Sequence, residues 1–243
     1  MLMTSLGRGD IFTIDEIHSR FGKDTWQRKV FSELDSALLS EARPFPCIYG
    51  VAGHKAGQIR YGFAETLTAE AIAAALDTYL PHAREFGPNT SLALFEAPSD
   101  ISAMQDYFER FWSLLKGVAD IDRKPWPSEI PQETDAPLWE FCYAGEPVFV
   151  VCTTPAHVLR QSRRSSTFML TFQPRWVFDR ILGSERAASK SFSVVRGRLS
   201  AYDFVAPSPV LGKYGADGIR EAEQYFLGDA NAPLSCPFHK LKD

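Results

Sequence analysis

The stretch "LWEFCYAGEPVFVVC", residues 138–152, constrains the fold most, because two apolar runs flank an Ala-Gly-Glu-Pro break. Runs of this length and composition on either side of a turn predict two strands of an antiparallel hairpin. Helical periodicity lies on both sides of it. Residues 25–39, "TWQRKVFSELDSALL", predict an opening helix, and "LTAEAIAAALDTYL" a second one with Thr68 as N-cap and Glu70 in its first turn. In "SDISAMQDYFERFWSLLKG", Ile101, Met104, Phe108, Phe111, Trp112 and Leu115 form one stripe, the pattern of a core-facing helix. Ser99 or Asp100 would cap it and Gly117 would end it.

"SLALFEAP" and "FMLTFQP" read as strands, "RWVFDRIL" and "SVVRGRLSAYD" as helices. "RPFPCIYGVAG" reads as a proline-broken extended piece ending in glycine. "DIDRKPWPSEIPQETDAP" is a proline-rich connection long enough to cover a pocket. The expected architecture is α+β: one domain over residues 1–243, a mixed sheet with a central antiparallel hairpin flanked by helices, and residues 1–41 as an N-terminal helical extension.

At 45% hydrophobic and 23% charged, the chain has the material for a packed core. Its net charge of −4 supplies no global field for nucleic acid or an anionic membrane, so neither is an expected partner. Residues 1–7 lack the basic start and apolar run of a signal peptide, and no apolar stretch approaches the ~18 residues of a membrane span. The four cysteines, Cys47, Cys142, Cys152 and Cys236, contain no CxxC pair. A structural zinc site and a disulfide scaffold are therefore not expected, and a reducing cytoplasm is. Without CxxCH, a covalently attached c-type haem is excluded and a non-covalent one is not.

The candidate chemistry gathers in "TTPAHVLRQSRRSS", residues 153–166, directly after a strand. With Thr153 or Thr154 as N-cap and Pro155 in the first turn, a helix beginning here would carry His157, Arg160 and Arg164 on one face, with Arg163 on its flank. Free N–H groups at such a start favour an anion, and guanidinium groups take carboxylates or phosphates through paired hydrogen bonds. Haem fits the pattern, since it needs an axial imidazole and cations for two propionates. A phosphorylated ligand also fits, although no P-loop or G-x-G-x-x-G pattern is present. A metal site would need more ligands, and His18, His54, His82 and His239 are scattered. The plain alternative is a capping histidine on a solvated basic face.

Cys47 follows two prolines and Cys236 precedes one, rigid settings that suit a haem thiolate or a nucleophile. Cys142 and Cys152 lie in apolar strands and read as small core residues. Glu140, between aromatics in "WEF", needs a partner: either a buried arginine or a cationic substrate. Glu146 reads as solvated in the turn, while Gln173 and Arg175 beside Trp176 either orient a ligand or pair internally.

Taken in order, "FPCIYG", "FERFWSLLKGV", "PWPSEIP", "WEFCYAGEPVFVV", "TTPAHVLRQSRRS", "TFQPRWVFD", "GKYG", "EQYFLGD" and "CPF" resemble the YqcI/YcgG family over residues 45–238. Members with an assigned function are haem-dependent oxygenases that hydroxylate nitrogen, among them the guanitoxin-pathway N-hydroxylase and enzymes acting on the guanidino group of arginine. The resemblance implies a b-type haem, dioxygen as oxidant and a guanidine- or amine-bearing substrate. His157, the one histidine inside the strongest motif, is the first choice as iron ligand, with Cys47 and Cys236 as alternatives. Arg160, Arg163 and Arg164 would hold the propionates, and Glu140 would accept the substrate cation. No flavin or nicotinamide fingerprint appears, so electrons would come from an external donor. A homodimer is compatible with this reading. So are a haem sensor or carrier without turnover, and a non-haem protein that binds a phosphorylated ligand.

Overall fold

The structure, a computed structural model, describes residues 9–232. The chain runs through α1 (Ile14–Arg20), α2 (Trp26–Leu39), α3 (Ile48–Lys55), β1 (Ile59–Ala64), α4 (Ala69–Tyr79), α5 (Ala83–Phe86) and β2 (Ser91–Glu96). It continues through α6 (Met104–Ile121), β3 (Cys142–Tyr143), β4 (Glu146–Thr153), β5 (Met169–Pro174), α7 (Arg175–Ile181), α8 (Glu185–Tyr202) and α9 (Ala222–Tyr225). The strands form one mixed sheet in the order β1-β2-β5-β4-β3. Among the described strands only β1 and β2 pair in parallel, and the α4–α5 crossover between them is what parallel pairing requires. The expected α+β architecture with a mixed sheet is what the chain forms. The hairpin, central in the sequence, occupies one edge of the sheet.

Strand alternation sorts the side chains into two cores. On β2, Leu92 and Leu94 face a core built with α4, α6 and α9, while Ala93 and Phe95 face one built with α1 and α2. Residues before 41 are therefore part of the packed structure: Phe12, Ile17, Val30 and Phe31 are buried beneath β1. Thr68 caps α4 as expected, and Thr25 caps α2, each accepting from the backbone N–H three residues on. The α6 stripe is core: Tyr107, Phe108, Phe111, Trp112, Leu115 and Val118 are all buried.

Four local expectations are corrected. Ala103, not Ser99 or Asp100, starts α6, with the Asp106 carboxylate accepting the Ala103 N–H; Ile101 lies outside the helix and is exposed. The helix also passes through Gly117, because a glycine without a left-handed φ only weakens a helix and does not stop it. Residues after Pro46 are helical rather than extended, because Cys47 caps α3 with its own sulfur. The proline-rich loop closes on the core rather than over a pocket. Its Trp126 ring stacks on Trp139 at 6.3 Å, and the Trp126 indole N–H donates to the Ile130 carbonyl at 3.0 Å.

The hairpin turn is Ala144–Gly145, with φ of +54° and +77°, between the paired Tyr143 and Glu146. Two positive φ values are the mark of the tight turn that matches strand twist, and alanine tolerates that region poorly. Ala144→Asn should relieve this strain and stabilise the fold by about 0.5 kcal/mol, read as a rise of ~1–2 °C in thermal midpoint. A fall in the midpoint would show that the turn carries no such strain.

Candidate functional site

Residues 153–166 form no helix beyond a single 3-10 turn at Gln161–Arg163. The Thr154 hydroxyl accepts from the Ala156 N–H at 3.2 Å and meets His157 Nδ1 at 2.8 Å. The Thr154 N–H donates to the Arg163 carbonyl, and its carbonyl accepts from the Ser165 N–H, folding the segment back on itself. Such local side-chain bonds compete with the helical ladder. The N–H groups expected to face an external anion are already used. Those of Val158, Leu159 and Arg160 donate to the Asp229 carboxylate at 2.7, 2.9 and 2.8 Å. Against the upward push of burial, these donors hold the Asp229 carboxyl below the usual range. A phosphorylated ligand has no place on them.

His157 is fully buried. Its Nε2 lies 2.8 Å from the Leu227 carbonyl, which can only accept, so Nε2 carries the proton and Nδ1 accepts from Thr154. Burial, reinforced by the Arg163 charge, depresses its pKa to about 4, outweighing the Leu227 carbonyl. The ring is neutral and both nitrogens are engaged. The arginines do not share one helix face. Arg160 donates from Nε to the Gly228 carbonyl and from Nη2 to Asn231, and Arg163 donates from Nη2 to the Gln224 carbonyl. Arg164 bonds the His157 and Pro155 carbonyls. The segment thus clamps residues 224–231.

Arg160 and Arg163, 1% and 8% exposed, each keep one Nη1 without a hydrogen-bond partner. Burial lowers the Arg163 pKa to about 10, with Arg160 adding to the effect. Arg163 also lies close enough to Cys47 for their charges to interact. The Cys47 thiol is solvent-accessible and accepts from the Gly50 N–H at 3.3 Å at the start of α3. Protein still surrounds it closely enough for burial to raise its pKa, against the Gly50 and Tyr49 N–H groups and the Arg163 and Arg198 charges. Nearby, Tyr49 Oη lies 2.6 Å from Ser191 Oγ, and Arg198 donates to the Phe45 carbonyl at 2.9 Å.

A haem needs an open axial donor and cations for two carboxylates. His157 offers no open lone pair in this arrangement, so the iron-ligand role expected of it does not fit. Cys47 offers an open sulfur, and the two unpartnered Nη1 atoms offer the cations. Arg164, spent on two carbonyls, shapes the segment instead. Cys236 and His239 lie outside the described residues. Cys142 and Cys152 are buried in strands, where burial raises both thiols.

Glu140 is 1% exposed and faces no cavity; its Oε2 accepts from Arg175 Nε at 2.6 Å. The arginine reaches on to Glu221, whose Oε1 accepts from the Tyr225 hydroxyl at 2.7 Å. Burial raises both carboxyls, with Glu221 reaching about 7 despite Arg175. Beside this triad, between α7, α8 and residues 212–214, lies a cavity of about 260 Å³ lined in part by Phe149, Phe178, Phe192, Tyr214, Asp179 and Glu221. Gln173 does not join it and donates to the Thr90 carbonyl. Asp179, Tyr214 and Asp229 lie in "TFQPRWVFD", "GKYG" and "EQYFLGD", pieces that carry the family resemblance without assigning these residues a role, and Glu221 lies outside every such piece.

A histidine whose folded pKa falls below its unfolded value stabilises the fold above the unfolded pKa, and that contribution is lost as pH falls through the window. For His157 the window runs from the ordinary imidazole value of 6.5 down to about 4. Acidification across it should destabilise the wild type on the order of 3 kcal/mol more than His157→Gln, measured by denaturant unfolding at each pH. Parallel profiles for the two proteins would rule out the buried neutral ring.

Residues 34–239 match the model of the YqcI/YcgG family. The chain is 41% identical to YcgG of Bacillus subtilis (strain 168) over 227 residues, covering 90% of each protein. It is 38% identical to YqcI of the same organism, over 90% of this chain and 89% of the relative. It is 29% identical to DcsA of Streptomyces lavendulae, whose name proposes an N(omega)-hydroxy-L-arginine synthase, over 88% of this chain and 84% of the relative. No solved structure matches. Among the described residues no helix is long and apolar enough to cross a membrane. With the match spanning both the clamp and the triad, the chain belongs to the YqcI/YcgG family.

Proposed function

We propose that the protein N-hydroxylates a guanidine- or amine-bearing small molecule with dioxygen, at a b-type haem bound through Cys47. The likeness to DcsA supports the class of reaction and substrate. The resemblance to haem-dependent N-oxygenases supports the cofactor. The observation that carries the reading is an exposed cysteine within reach of the buried Arg163 charge, where Arg163 and Arg160 each retain an unpartnered nitrogen.

Haem, when bound and reduced by an external donor, supplies the activation of dioxygen and the transfer of one oxygen atom to nitrogen. The chain's own residues do the rest. Burial raises the Cys47 thiol, and the N–H groups of Gly50 and Tyr49 and the charges of Arg163 and Arg198 oppose that rise; coordination to iron would supply the remaining drive to the thiolate. Arg160 and Arg163 would take the two propionates through their remaining Nη1 atoms, giving each the hydrogen-bond acceptor that it lacks. His157 and Arg164 hold the segment that presents these arginines. Burial of the clamp keeps water from competing for the guanidinium groups.

Titration with hemin should give a stoichiometric Soret band with a thiolate-type spectrum. Cys47→Ala should abolish that spectrum, while His157→Gln should retain it. Reduced protein with dioxygen and a panel of guanidines should yield a product heavier by one oxygen atom. A protein that takes up no hemin would overturn the cofactor. Hemin uptake without product would point instead to a carrier or sensor, and loss of the band in His157→Gln alone would return the ligand to the imidazole.

A further inference from the structure

The triad beside the cavity holds two carboxylates against one guanidinium. Arg175 is spent between Glu140 and Glu221, and its guanidinium lies 4.0 Å from the centre of the Tyr214 ring. The cavity itself is lined by Glu221 and Asp179 against Arg175 and Lys213, and Arg175 is shared with Glu140 behind the wall, so three carboxylates in all stand against two cations. Glu221, on the cavity wall, is 3% exposed, and a carboxylate in excess at that depth calls for another cation. Asp179 and Lys213 lie at the exposed side of the same cavity. Its remaining walls include Phe149, Phe178, Phe192 and Tyr214, and aromatic faces attract cations. A volume of about 260 Å³ falls just below the ~300–1,000 Å³ of ligand pockets, which suits a small group.

From this arrangement we infer that the cavity between α7, α8 and residues 212–214 is a cation site that takes the guanidinium or ammonium end of a small molecule on Glu221 and Asp179, between aromatic walls. The choice of a guanidine rests on the N-hydroxylation reading; the preference for a cation rests on the charge count and the walls alone. Glu221 is faced by Arg175 and Asp179 from α7, Glu140 from the chain before β3, Tyr225 from α9, and Lys213 and Tyr214 from the loop. With its carboxyl raised to about 7 by burial, Glu221 is part-protonated at neutral pH. A cation entering the cavity favours the ionised form, so binding releases a fraction of a proton to solvent, and affinity rises as pH rises through about 7.

The test uses L-arginine and L-citrulline, which differ in carrying a charged guanidinium or a neutral urea, titrated calorimetrically into the full-length protein. L-Arginine should bind at least tenfold more tightly than L-citrulline, with proton release that disappears in Glu221→Gln. Glu221→Gln should weaken L-arginine at least tenfold and Asp179→Asn severalfold. Lys213→Met removes the chain's own competing cation and should tighten binding severalfold, a gain that a damaged fold would not give. Equal affinity for the two ligands, an unaffected Glu221→Gln, or weaker binding in Lys213→Met would overturn the cation site. Hemin titration of the same variants separates the two proposals. L-Arginine affinity that ignores these substitutions while the Soret band persists defeats the cavity alone, and hemin refused with Glu221-dependent L-arginine binding retained defeats the cofactor alone.

Discussion

One carboxylate, Asp229, accepts the N–H groups of three consecutive residues, 158–160, about 70 positions earlier in the chain. Hydrogen bonds to a charged group contribute roughly 1.5–3 kcal/mol each, a large share of the ~5–15 kcal/mol by which a domain is stable. Those three bonds bring the clamp and residues 224–231 together, and every other feature of this region follows from that approach. His157 reaches the Leu227 carbonyl, Arg160 reaches the Gly228 carbonyl and Asn231, and Arg163 reaches the Gln224 carbonyl. A segment that reads as an open anion site is instead satisfied from within, except at two guanidinium nitrogens.

Those two nitrogens and the triad stand on opposite terms with their surroundings. At Arg160 and Arg163, buried guanidinium groups each keep one nitrogen without a hydrogen-bond acceptor. At Glu140–Arg175–Glu221, negative charge is in excess. Gln224 connects the two, since its carbonyl accepts from Arg163 and its side chain lies on the cavity wall. A haem with two carboxylates and a substrate with a guanidinium carry the complementary charges. Neither feature explains the other, yet both make chemical sense in a protein that pairs an anionic cofactor with a cationic substrate.

Much of the fold was legible because periodicity is a local property. The apolar run of "SLALFEAP" and the stripe of Phe108, Phe111, Trp112 and Leu115 need no knowledge of distant partners, and the structure places both in the core. Residues 153–166 misled because their helical spacing is real, but Thr154 diverts the backbone through side-chain bonds that spacing does not encode. Cys47 was visible as a candidate, though not as the cap of α3, because cysteine rarely caps and Pro46 suggested extended chain. Glu221 was invisible for another reason. Its partners Arg175 and Glu140 lie far away in sequence, and α9 is only four residues long, too short to show a pattern. Glu140 was correctly suspected of needing a cation. The two candidates were a buried arginine and a substrate, and Arg175 occupies that place.

The pairing of Phe12 with Tyr61, through N–H to carbonyl bonds of 2.7 and 3.0 Å in each direction, lies along the outer side of β1, the edge strand opposite the hairpin. An uncovered edge strand is a template on which a second chain can add itself. Here one residue ahead of the first helix supplies the missing rung. The short lead-in before α1 thus acts as a stopper for the sheet, and a chain cut back to Ile14 would present that margin to its neighbours.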